Sequence, residues 1–185
     1  RQMCIRDSNS PIHTDRKNAL KRFESNGFPT KKDELWKYTS LKSIIQKDYS
    51  LSVKSNPNVG LKDIKKYSIN DIDSYKIVFV DGVFNPFLSK TTHDGMDICV
   101  LSAALSKTKY KKTINKYFNK IVPDDQSLAS LNTSYTKEGA YIHIPKSVLP
   151  EDPVQILHFS SGKNKPLWLQ PRNIIIVEEN ARVEI

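Results

Sequence analysis

From Gly139 onward the sequence is built of short segments with β character. Ala140, Ile142 and Ile144 alternate with Tyr141 and His143 until Pro145 closes the run, and residues 154–159, 173–177 and 181–185 follow in the same style. A period of two sends successive side chains to opposite faces of a strand, so each run presents one apolar face. Pro150, Pro153, Ser160-Ser161-Gly162, Pro166 and Pro171 lie between the runs and hold each to a few residues. This spacing suits a sandwich, a barrel or a coiled parallel β-helix, and the pattern alone leaves all three open.

Before Gly139 the period changes. Ala19, Leu20 and Phe23 predict a helix over residues 11–25, stopped by Asn26-Gly27. Thr30 and Asp33 stand at the reciprocal positions of a capping box and predict a second, shorter helix through Trp36. Residues 39–45 read as a turn or short helix, and residues 50–60, polar with Pro57 and Gly60, as a surface loop. Residues 75–80 predict a strand, and Asp81-Gly82 before Val83-Phe84-Asn85 is a two-residue hairpin signal. Residues 97–100 predict another strand, with Ser102 capping a short helix through Leu105. Over residues 109–121, Tyr110, Ile114, Tyr117, Phe118 and Ile121 share one helical arc, and Lys109, Lys112, Lys116 and Lys120 fall opposite it as a solvated stripe. Leu128, Leu131 and Tyr135 predict one more short helix.

With 185 residues, 38% of them apolar, the chain can bury a moderate core. Its longest apolar runs, such as Ile174 to Val177, fall far short of a membrane span. The net charge of +9 invites a nucleic-acid reading, but 23 of the 29 basic residues are Lys and 6 are Arg, whereas bidentate phosphate and base readout favours the Arg fork. Cys4 and Cys99 build neither a disulfide framework nor a four-thiolate metal site. Together with the lack of a secretory leader pattern, this gives an expectation of a cytoplasmic protein that binds neither nucleic acid nor membrane. The sequence starts at Arg1 and stops amid the alternation of Val183-Glu184-Ile185, so both ends are expected to be cut.

Candidate chemistry is sparse. His13, His93, His143 and His158 show no metal-ligand spacing, although His143 and His158, on consecutive predicted strands, are placed to approach each other. Cys99, between Ile98 and Val100, reads as a small buried hydrophobe rather than a reactive thiol. Asp33-Glu34 and Asp124-Asp125 sit where helix starts and turns favour acids, and Glu178-Glu179 point to opposite faces unless a turn intervenes. There is no phosphate loop or nucleophile elbow, and Ser160-Ser161-Gly162 is a turn. Trp36, with Tyr38 beside it, and Trp168 read as packing anchors. No catalytic, cofactor-binding or metal residue is assigned, and a non-enzymatic role is expected. The rivals are a β-helical enzyme acting on carbohydrate, which needs a carboxylate pair not visible here, and a basic nucleic-acid-binding module.

The stretch from Gly27 to Leu41, GFPTKKDELWKYTSL, closely resembles the N-terminal signature of the SufB/SufD family, on its SufD branch. Val78 to Pro86, Leu131-Asn132-Thr133 leading into Gly139 to Lys146, and Pro171 to Ala181 agree in order. The resemblance implies an α+β chain in which an N-terminal helical region leads into the first rungs of a right-handed parallel β-helix. It divides the chain into an unmatched tail (1–10), the helical region (11–74), a mixed α/β connecting region (75–138) and the truncated start of the β-helix core (139–185). It further implies a scaffold subunit of the SUF iron-sulfur cluster assembly complex, working with a SufB-like subunit and a SufC-like ATPase. The ATPase is expected to bind through a C-terminal region missing here. No cofactor is expected in this fragment, the iron-sulfur cluster being handled by the complex.

Overall fold

The fold comes from a computed structural model, described over residues 11–51, 59–69, 72–93, 95–162 and 166–185. The predicted tail 1–10 and most of the 50–60 loop lie outside the described residues. The helices are α1 (His13–Asn26), α2 (Lys42–Ile45), α3 (Leu61–Lys65), α4 (Leu101–Ser106), α5 (Thr108–Tyr117) and α6 (Ser127–Tyr135). The strands are β1 (Tyr75–Val80), β2 (Val83–Phe84), β3 (Asp97–Val100), β4 (Ala140–Ile144), β5 (Val154–Phe159) and β6 (Ile174–Val177). The chain is therefore α+β.

Two three-stranded sheets form, in the orders β2-β1-β5 and β3-β4-β6. Each combines one antiparallel and one parallel pairing. β1 runs antiparallel to β2 through the Asp81-Gly82 turn, where both residues have positive φ, 50° and 79°. This is the left-handed pair that a two-residue hairpin demands. β1 also runs parallel to β5, Tyr75 beside Val154. β3 pairs antiparallel with β4, and β4 pairs parallel with β6, Tyr141 beside Ile174. From β4 onward the chain thus changes sheet with each strand. After β6 it turns at Asn180, φ 56°, and Glu184 accepts a hydrogen bond from Val154 N at 2.8 Å, back beside β5.

The alternation read from the sequence decides the layers. Ile98, Val100, Ala140, Ile142 and Ile144 face Ile77, Phe79 and Val154 in a core between the sheets. On the far side of the second sheet, Tyr141, Ile174 and Ile176 pack beneath α4 and α5 through Leu101, Ala104, Tyr110, Ile114 and Phe118. On the far side of the first sheet, Val78 and Val80 take Ile64 of α3. α1 lies along α6, where Arg16 Nε donates to Ser134 O at 3.2 Å and Ala19 is buried.

Four local expectations are corrected. Thr30 and Asp33 do pair, Asp33 Oδ2 accepting from Thr30 N at 2.6 Å, but they open a three-residue 3-10 turn, Glu34–Trp36, because no tertiary layer covers a longer helix there. Ser102 caps nothing. α4 starts directly from β3, and Glu138 caps it from a distance, Oε1 taking Ser102 N at 3.1 Å and Oε2 taking Ser102 Oγ at 2.8 Å. α5 ends at Tyr117, leaving Ile121 at 81% exposure, since Asn119 adopts φ 54°. Residues 181–185 are not a strand: Ala181 bonds back to Glu178, Arg182 to Val148 and Glu184 to Val154, which is no ladder.

Candidate functional site

The densest polar group in the described residues lies on the helix-covered face of the second sheet. Register brings Asp97 opposite His143, and Cys99 opposite Tyr141, all on one face. The His143 ring stands between two carboxylates, with Nδ1 3.6 Å from Asp97 Oδ2 and Nε2 2.9 Å from Glu178 Oε1. α5 delivers Lys109 Nζ and Tyr110 Oη to Asp97 Oδ1, at 2.8 and 2.9 Å. Glu178 Oε2 accepts from Lys146 N at 3.1 Å, and Lys146 Nζ reaches Glu179 Oε2 at 2.6 Å.

Electrostatics follow from these contacts. Partial burial works to raise Asp97, but hydrogen bonds from Lys109 and Tyr110 outweigh it and hold the carboxyl below its usual range. The hydrogen bond from His143, then that from Lys146 N, lower Glu178. Burial raises the Tyr110 phenol, and the neighbouring Asp97 adds to it. Burial also pushes the Cys99 thiol up, which disfavours the thiolate. Tyr141 is wholly buried, its hydroxyl finds no hydrogen-bond partner among the described residues, and desolvation raises its pKa.

The cluster orients and neutralises charge. His143 bonds to no hydroxyl or thiol among the described residues. The three strands β3, β4 and β6 and the helix α5 are instead tied together at one end. Among the described residues there is no group of three His, Cys, Asp or Glu side chains able to hold a metal ion.

A second polar group closes the hairpin end of the first sheet. Asp81, 1% exposed, accepts from Ser161 N at 2.9 Å and Ser161 Oγ at 2.7 Å. Beside it a cleft of about 380 Å³ is bordered by Gly82, Glu138, His158 and Trp168. His158 stacks on Phe79 with centroids 4.8 Å apart, and desolvation lowers its pKa.

The sequence candidates therefore disperse. His143 and His158 do not meet, because β4 and β5 belong to different sheets. Glu178 and Glu179 do converge, on Lys146, through the turn after β6. Asp124 pairs with Arg22 at 3.4 Å, Asp33 with Thr30, and Ser161 serves Asp81. Of the lysine stripe, Lys109 pairs with Asp97 while staying exposed, and Lys116 lies over the Tyr117 ring at 4.9 Å. Trp168 gathers Phe28 and Tyr49, at 6.3 and 4.9 Å, while Trp36 is half-buried. Cys4 lies outside the described residues. The Asp97–His143–Glu178 group escapes sequence reasoning because its members lie on two strands and the turn after a third, and only the alternation hints that Asp97 and His143 occupy the less apolar face.

Parallel pairings in two facing sheets, flanked by helices, define an α+β chain whose sheets share one core. The family described as SufBD protein N-terminal region matches residues 1–156. The chain belongs to the SufBD family. It is 25% identical over 170 residues to a SufBD family iron-sulfur cluster assembly protein of Synechocystis sp., covering 92% of this chain and 37% of that protein. It is 31% identical over 114 residues to an iron-sulfur cluster assembly SufBD family protein of Arabidopsis thaliana, covering 58% and 24%. It is 25% identical over 146 residues to the iron-sulfur cluster assembly protein SufD of Escherichia coli, covering 77% and 30%. The chain thus spans about a quarter to a little over a third of the length of these relatives.

Proposed function

We propose that this chain is the N-terminal part of a non-catalytic, SufD-like scaffold subunit for iron-sulfur cluster assembly, acting in the cytoplasm with a SufB-like subunit and a SufC-like ATPase. In this reading β4, β5 and β6 are the opening coil of a right-handed parallel β-helix, and the helices form its head. The observation that carries it is the parallel stacking of Tyr141 on Ile174, Ile142 on Ile175 and Ile144 on Val177, one circuit of chain apart, while β5 stacks on β1 in the other sheet.

The burial along these columns supports the same reading. Ile142 and Ile144 are wholly buried, whereas Ile175 and Val177, in register with them, are 44% and 45% exposed. An apolar column that ends half-exposed at a sheet edge calls for another strand to cover it. The cluster under assembly is cargo. Cys99, the one cysteine among the described residues, is half-buried with a thiol pKa raised by burial.

Co-expression of the full-length protein with the SufB-like and SufC-like proteins of the same genome tests the assignment. A stable complex that survives affinity capture and gel filtration is expected. Failure of the three to co-purify, with each soluble alone, overturns it.

A further inference from the structure

Residues 30–47 cross the surface without burying one side chain: Trp36 and Leu41 are half-buried and all the others exposed. Leu35 is 78% exposed and Tyr38 91%, with Ile44 and Ile45 above 40%. Single exposed apolar residues are ordinary, but four in one short segment are not. The segment is nonetheless shaped and tethered. Phe28 before it and Tyr49 after it both pack on Trp168, and Ser50 exchanges hydrogen bonds with the 166–168 backbone, at 2.9 Å from Ser50 N to Pro166 O and 3.0 Å from Trp168 N to Ser50 O. Inside it, Thr30 bonds to Asp33, Trp36 N to Asp33 O and Thr39 N to Trp36 O, so Leu35 and Tyr38 are held outward by a folded turn. A groove of about 380 Å³ between Pro29 and Leu41 runs alongside.

Charge decides what fits there. Lys31, Lys32, Lys37, Lys42 and Lys47 are all exposed. Of the acids between them, Asp33 is taken up by Thr30, and Glu34 sits 3.9 Å from Lys37. Among the described residues no carboxylate pairs with Lys31, Lys32 or Lys42. A second copy would set lysine against lysine in a chain already at +9. A nucleic acid could stack on Tyr38, but Leu35, Ile44 and Ile45 would face its bases and phosphates with no apolar contact to gain. We propose that residues 30–47 form a docking ridge for an acidic protein surface, with Leu35 and Tyr38 entering an apolar socket and carboxylates around it meeting Lys31, Lys32 and Lys42. The inference stands on exposure and charge, independently of the scaffold role.

The test places p-benzoylphenylalanine at position 38, and separately at position 34, of the full-length protein in its native cells. Irradiation is expected to give an adduct with one other protein, joined at an apolar residue flanked by Asp or Glu. That protein, purified, is expected to bind the unsubstituted chain, and Lys31→Glu/Lys32→Glu to weaken binding by about tenfold or more, as does raising salt from roughly 0.05 to 0.3 M. Leu35→Ser weakens it too. Unchanged thermal midpoints show that the variants remain folded. No adduct at either position, an adduct with a second copy, with nucleic acid or with the protein's own chain, or binding indifferent to charge reversal would each overturn the proposal.

Discussion

Gly139 lies against the backbone of Arg172: a Cβ on Gly139 would stand 1.9 Å from the Arg172 carbonyl oxygen. The closeness comes from the start of the β4–β6 pairing, where Arg172 N donates to Glu138 O at 3.1 Å and Asn173 Oδ1 accepts from Ala140 N at 2.8 Å. Space, rather than a left-handed backbone, requires glycine here. Gly139→Ala is expected to destabilise by about 2–4 kcal/mol, since backbone and not a flexible side chain must give way. Denaturant unfolding checks this, and a loss under about 1 kcal/mol contradicts the close approach.

Tyr141 carries a buried hydroxyl with no hydrogen-bond partner among the described residues. Burying an unsatisfied polar group is costly, so Tyr141→Phe is expected to leave stability unchanged or raise it by up to about 1 kcal/mol. A clear destabilisation in the same unfolding assay would reveal a partner for that oxygen.

Asp97 is held below its ordinary value of 3.8 in the folded chain. A depressed folded-state pKa means its contribution is complete above about pH 4 and is lost as the pH falls through the lower folded value. Asp97→Asn removes that titration, so the fall in stability of the natural chain below pH 4 is expected to be steeper than that of the variant. Parallel stability curves from pH 6 to pH 2 would exclude the arrangement with Lys109 and Tyr110.

Ile142 and Ile175 are neighbours in one apolar column, the first buried and the second half-exposed. In this chain Ile142→Ala is expected to cost about 2–4 kcal/mol and Ile175→Ala less than about 1. In the proposed β-helix a further strand covers Ile175, so in the full-length protein its cost should rise toward that of Ile142→Ala. Equal small costs for Ile175→Ala in both forms count against the β-helix.

Most elements were legible before any coordinates, because they depend on neighbours in sequence. The Asp81-Gly82 hairpin, the strands at 97–100 and 140–144 and the helix stop at Gly27, φ 68°, follow from local sterics and period. The family followed from Gly27 to Leu41 and from the motifs that contain Gly139 and Arg172. What the tertiary structure alone decided is which distant residues share a face. Glu138 caps a helix 36 residues away, β4 and β5 part into different sheets, and Asp97 and His143 of β3 and β4 meet Glu178 from the turn after β6. Local periodicity fixes the direction of a side chain relative to its own strand. Strand order and register fix what it meets, and they are settled by burying Ile77, Phe79, Ile142 and Ile144 together, a gain shared by the whole chain that no single segment encodes.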